Sequence, residues 1–134
     1  MPNPYECFSQ KGMHFIHINI RSLLASIDEI RLLANKTNAS VIAITESWLD
    51  HYITDAEILN SGYIVERRDR NRQGRGVCIY IKDSHVFYRR DNLSRDGLET
   101  VLTFYYQNPS LYWLGFVTTY LENHNFTMIW KPVS

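Results

Sequence analysis

Cysteine is scarce in this chain, with two residues, Cys7 and Cys78, far apart in sequence. That spacing gives no disulfide framework and no zinc-ligand pattern, and it suits a reducing compartment. An excess of charge is also missing: 14 Lys and Arg balance 14 Asp and Glu, so no global field steers the chain toward nucleic acid or a membrane surface. The opening residues Met1-Pro2-Asn3-Pro4-Tyr5 carry no apolar run, so no secretory signal is expected. No stretch is long and apolar enough to cross a bilayer. An intracellular, non-secreted chain is the expectation, the nucleus among its candidate compartments. No internal repeat is visible.

What the chain does have is alternating β and α signal in its first half. Residues 1–12 read as a loose lead-in. From Met13 to Asn19, Phe15, Ile16 and Ile18 make an almost continuous apolar run, as in a strand covered on both faces. Ser26-Ile27-Asp28-Glu29 fits a helix-opening capping box, with Ser26 at N-cap and Glu29 three residues on. Leu23, Ile27, Ile30 and Leu33 or Ala34 recur at helical spacing, and Asn35 and Asn38 offer an exit turn. Val41–Thr45 is a second apolar strand. Strand, helix and strand over this length form a βαβ unit whose strands should run parallel.

Further on, Thr54-Asp55-Ala56-Glu57 resembles a second capping box, opening a short helix to about Asn60. Tyr63–Glu66 reads as a strand, Arg67–Gly76 as an arginine-rich loop, and Val77–Lys82 as a strand with one covered face. Asp83-Ser84 is a turn, after which His85–Tyr88 would return as a hairpin strand. Beyond Thr103 aromatics crowd the chain and the alternation weakens, with a turn at Gln107–Ser110.

Two strand ends carry the chemistry. The first apolar run stops at Asn19 and the second at Glu46, both polar side chains able to hold or steer a hard cation. Parallel strands place both on one edge of the sheet, where open α/β sheets bind ligands. Five arginines, Arg67, Arg68, Arg70, Arg72 and Arg75, fall in one short stretch, opposed by Glu66 and Asp69. They read either as contacts to a DNA backbone or as a solvated hairpin loop. Arg21 and Ser22 suit a phosphate contact or an exposed turn. Trp48 and Tyr63 read as core or half-buried aromatics, and Asp50 and Asp55 as turn and cap residues. His14, His17, His51 and His85 show no ligand spacing.

The order Asn19-Ile20-Arg21-Ser22-Leu23, a βα crossover, Ile44-Thr45-Glu46-Ser47-Trp48-Leu49-Asp50, Gly62-Tyr63, Arg67-Arg68-Asp69-Arg70 and Gly74-Arg75-Gly76-Val77 resembles the endonuclease/exonuclease/phosphatase superfamily. Within it, the sequence is most similar to the apurinic-endonuclease-like domain of non-LTR (LINE-type) retrotransposons, from about Met13 to about Val101. The resemblance implies an α/β (α+β) fold, the N-terminal half of a two-sheet sandwich with flanking helices. It implies a partial domain at 13–102 and a divergent tail at 103–134. It also implies Mg²⁺ or Mn²⁺ as cofactor, DNA as partner, Glu46 as metal ligand and Asn19 beside it ordering the metal's water or the phosphate. Magnesium takes oxygen ligands and only one or two protein carboxylates, so a single well-placed glutamate can serve.

The family's second half is not matched. There is no Gly-Asp-x-Asn and no Ser-Asp-His sequence, the last histidine, His124, follows Asn123, and Arg75 interrupts a common three-glycine run. No general base can be assigned. A one-nucleotide frame slip near Val101–Thr103 would restore a family-like strand and loop, so a truncated reading frame is expected. The expected function is a truncated, inactive metal-dependent DNA endonuclease domain. Its alternatives are a phosphoesterase of the same superfamily acting on a lipid or small phosphate ester, and a non-enzymatic nucleic-acid-binding remnant. With about one sheet supplied, one apolar sheet face is expected to lie exposed.

Overall fold

A computed structural model describes residues 14–69, 76–84, 86–89, 99–107, 110–118 and 126–133, the last four stretches as strand backbone. The lead-in at 1–12, His85 and the arginines Arg70, Arg72 and Arg75 lie outside the described residues.

The βαβ unit forms as its pattern dictates. Strand β1 (Phe15–Asn19) leads through a 3-10 turn (Leu24–Ser26) into helix α1 (Ile27–Thr37), and β2 (Val41–Thr45) follows. β1 and β2 pair in parallel, Phe15 opposite Val41 and Asn19 opposite Thr45. Ile30 and Ala34 are buried on the inner face of α1, while Asp28 and Glu29 at its start and Lys36 at its end complement the helix dipole. Asn38 ends the helix in the left-handed conformation that Asn tolerates, its N–H donating to the Ala34 carbonyl at 2.9 Å. Ser26 takes the N-cap position, but its side chain makes no capping bond. A 3-10 turn, with Ser26 N–H donating to the Leu23 carbonyl at 3.0 Å, runs straight into α1, and the capping box read at Ser26 and Glu29 does not form.

The second capping box does form, ahead of a 3-10 turn at Asp55–Ile58. The Thr54 N–H donates to the Glu57 carboxylate at 2.7 Å. β3 (Tyr63–Arg68) and β4 (Val77–Lys82) then complete a mixed sheet in the order β1-β2-β4-β3, with β4 antiparallel to both neighbours. Arg67 and Arg68 belong to β3 and not to the loop expected from Arg67 onward.

Both faces of this sheet are covered. Ile42, Ile44, Cys78 and Tyr80 pack with Ile30, Ala34, Leu49 and Ile58 on the helix side. Val41, Ala43, Val77, Ile79 and Ile81 form a second buried cluster on the other face, joined by Phe15. β4 therefore has two covered faces, not one. The apolar face expected to lie open is closed, because the chain builds a second sheet. Strands β5 (Val86–Arg89), β6 (Glu99–Gln107), β7 (Ser110–Thr118) and β8 (Phe126–Val133) form an antiparallel sheet in sequence order. The backbone of β6 runs against β3 and β4. β5 pairs with β6, not with β4, so the return strand expected after Asp83-Ser84 crosses to the other sheet. No helix among the described residues is long and apolar enough to cross a membrane.

Candidate functional site

Because β1 and β2 are parallel and in register, their C-terminal ends finish together, with Asn19 opposite Thr45 and Glu46 the next residue. The backbone pairing continues past the strands. Ile20 N–H donates to the Thr45 carbonyl at 3.1 Å, Ser22 N–H to Glu46 at 3.0 Å and Leu23 N–H to Ser47 at 2.9 Å. On the other side, Ser47 N–H donates to the Gly76 carbonyl at 3.1 Å. Glu46 thus sits on a backbone clamped from both flanks.

The rim concentrates backbone strain. Among the described residues, Arg21, Ser22, Glu46 and Trp48 have positive φ, at 48°, 83°, 53° and 55°. The remaining non-glycine case is Asn38, the helix cap. L-residues held there cost on the order of 1–2 kcal/mol each, and such strain gathers at functional sites.

Asn19 is exposed. The Glu46 side chain retains 16% exposure, and its Oε2 lies 3.8 Å from Nε of Arg21, itself 81% exposed. An ion pair that open is worth little, about 0–1 kcal/mol. Register extends the site across the sheet. Asn19 faces Thr45, Thr45 faces Val77, and Val77 faces Arg68, which makes one transverse row on one sheet face. One row inward, His17 lies beside Ala43, and its Nε2 is 3.1 Å from the Thr45 hydroxyl. Partial desolvation against the sheet lowers the His17 pKa from its ordinary value.

Arg67 points to the opposite face, in register with Cys78, and its guanidinium is consumed by the fold. Nε donates to Asp69, Nη1 to the Ile53 carbonyl at 2.7 Å and to Asp55 at 3.1 Å, and Nη2 to the Asp50 carbonyl at 2.9 Å and to Asp69. An arginine has five N–H donors, so none is left for a phosphate. Arg67 cross-links β3 to the 50–55 loop. Trp48 is 40% exposed, more open than its reading as a core or half-buried aromatic, while Tyr63 is buried as expected. Asp50 makes the expected turn, its carboxylate accepting from Tyr52 N–H at 2.9 Å.

Two residues of the rim stand in the quoted motifs but carry no role in the sequence reading. Ser47 is fully buried, and its hydroxyl has no hydrogen-bond partner among the described residues. Gly76, at φ +106°, leaves the space that Ser47 fills. Only a glycine just ahead of an apolar strand hinted at it.

For a metal at this rim, Glu46 could offer one carboxylate and Asn19 one amide oxygen. No group of three or more His, Cys, Asp or Glu among the described residues could hold a metal unaided. Oxygen-only donors with a single carboxylate suit a magnesium-type ion whose remaining ligands are water and phosphate, and do not suit zinc.

No family model and no curated protein matches the sequence. Among solved structures, the chain is similar to the crystal structure of the AP endonuclease LMAP from Leishmania major, with a TM-score of 0.57 and 20% sequence identity. The match covers 84% of this chain and 41% of that one. The likeness establishes an α/β fold of the kind seen in that endonuclease, and the chain spans about two-fifths of its neighbour's length.

Proposed function

We propose that this chain carries the amino-terminal half of a divalent-metal-dependent DNA endonuclease site of the non-LTR retrotransposon type, and that it is catalytically silent alone. The observation that carries the reading is the shared sheet edge, where Asn19 and Glu46 end in-register parallel strands on a clamped backbone. The neighbour's being an AP endonuclease supports a nucleic-acid phosphodiester as substrate.

In this reading Glu46 and Asn19 hold Mg²⁺ or Mn²⁺, which, when bound, supplies Lewis-acid polarisation of a phosphoryl oxygen. Glu46 provides the negative charge and Asn19 an uncharged oxygen, with an N–H₂ donor left to orient phosphate. Arg21 and Arg68 flank the row and supply positive charge for the DNA backbone. No residue here takes the proton of an attacking water, since the aspartate-bearing motifs that would do so are missing from the sequence. Lacking a base and the matching transition-state donors costs orders of magnitude in rate. The partial-domain reading, 13–102 followed by a divergent tail, belongs to this proposal.

Mn²⁺ titration of the ¹⁵N-labelled chain tests it. Paramagnetic broadening should centre on residues 19–23 and 46–47 and disappear in Glu46→Ala. Broadening elsewhere, or unchanged by that substitution, refutes the site. Supercoiled plasmid with Mg²⁺ should remain uncut, and nicking abolished by Glu46→Ala would refute the claim of silence. Salt-sensitive DNA binding without metal broadening would favour a non-enzymatic remnant.

A further inference from the structure

At the opposite edge of the first sheet, near the start of β2, a cavity of about 570 Å³ opens between the last turn of α1, the turn before β3 and the end of β4. This lies within the usual range of small-molecule sites, roughly 300–1,000 Å³. Arg31, Asn35, Asn38, Asn60, Gly62 and Lys82 contribute to its walls, and no carboxylate does among the described residues. The lining thus carries two positive charges. The C-terminal end of α1 opposes them with about half a negative charge, which is smaller.

Three features make this more than a basic surface. Asn60 is 4% exposed, and its Nδ2 has no hydrogen-bond partner among the described residues. A buried donor left unmade costs on the order of 1–3 kcal/mol, so this wall of the cavity carries a polar group that the fold itself leaves unused. Arg31 is held in place by the chain, Nε donating to the Leu59 carbonyl at 2.8 Å and Nη2 to the Glu57 backbone carbonyl at 3.4 Å. Its pairing with Asp28 at 3.5 Å is open to water, Asp28 being 92% exposed, and neutralises it weakly. Gly62 has φ +84°, and a Cβ there would meet nothing within 4 Å, so the wall is open at that point.

We infer that this cavity binds a small organic oxyanion, a phosphate- or carboxylate-bearing molecule no larger than a mononucleotide. Its anionic group meets Lys82 and Arg31, and its polar body meets the asparagines of the lining, Asn35, Asn38 and Asn60. The inference is independent of the metal site at the other rim.

Titration of the ¹⁵N-labelled full chain with inorganic phosphate, AMP, citrate and uncharged adenosine tests it. Saturable shifts are expected at the amides of Asn38, Asn60, Gly62 and Lys82 with the anions and not with adenosine. Phosphate and AMP responding without citrate identifies a phosphate ligand, and the reverse a carboxylate. Lys82→Met should weaken binding roughly tenfold or more, and Lys82→Arg should restore it. Asn60→Asp, with its fold checked by circular dichroism, should abolish binding by replacing a donor with a negative charge. Glu46→Ala should leave every shift unchanged. Equal response to AMP and adenosine, no response to any anion, indifference to both Lys82→Met and Asn60→Asp, or loss in Glu46→Ala would each overturn the inference.

Discussion

The Ser47 hydroxyl oxygen lies 2.7 Å from the place a Cβ on residue 76 would occupy. Ser47 is fully buried and hydrogen-bonded through its N–H to the Gly76 carbonyl at 3.1 Å, so neither side can withdraw freely. Gly76 also holds φ +106°, which L side chains rarely adopt. Gly76→Ala should therefore cost about 2–3 kcal/mol, the sum of backbone strain and overpacking. Urea unfolding should show a lower midpoint at an unchanged slope. Ser47→Ala alone removes a buried, unsatisfied hydroxyl and should be neutral or stabilising. The double variant should be less damaged than the sum of the two, because the alanine at 47 vacates the contested space.

Arg67 and Arg68 are neighbours in sequence with opposite fates, and substitution separates them. Arg67→Ala strips donors from Asp69, Asp55 and the Ile53 and Asp50 carbonyls, and the Arg67 side chain is 14% exposed. A loss of about 2–3 kcal/mol in stability is expected, with Arg67→Lys failing to restore the fork. Arg68→Ala should leave the unfolding midpoint nearly unchanged. If Arg68 meets a phosphate, that variant should lower the slope of log affinity for DNA against log salt by about one, while Arg67→Ala leaves the slope alone.

The same pair shows what could be read without coordinates. The bounds of Val41–Thr45 and Val77–Lys82 were legible to the residue, because each is a short apolar, β-branched-rich run bounded by polar residues, but the alternation in Val77–Lys82 read as one covered face and hid that both are buried. The shared edge for Asn19 and Glu46 followed from the βαβ rule, since parallel strands must finish on the same side. Arg67 and Arg68 resisted because charge reads locally as loop, whereas the carbonyls and carboxylates that hold Arg67 arrive from residues 50–55. Ser26 carried the capping letters but lost the bond to a 3-10 turn that no propensity marks. β5 resisted for a different reason. A strand just past a tight turn has a strong hairpin signal, and nothing in its few residues records that its partner is β6 in another sheet.

Alkaline pH should destabilise the first sheet through three buried groups of one sign. Burial pushes the Cys78 thiol well above its ordinary value of 9.0, and likewise raises Tyr63 and Tyr80 above 10.0. Tyr80 also donates its hydroxyl to the Ile58 carbonyl at 2.6 Å, a bond that a phenolate cannot make. In the unfolded chain Cys78 releases its proton from about pH 9 and the tyrosines from about pH 10, while the folded chain still holds all three. The folded state then binds more protons, so unfolding free energy falls as pH rises above about 9 and is fully present below it. Urea midpoints measured on either side of pH 9 should show that decline. Cys78→Val should remove its earlier onset and leave the tyrosine-driven loss near pH 10. The same burial makes Cys78 a reporter of the fold. In a Cys7→Ser background, alkylation by iodoacetamide should proceed only as fast as the sheet opens, and a rate typical of a free thiol in the native protein would show that Cys78 is not sealed in the core beside Ile44 and Arg67.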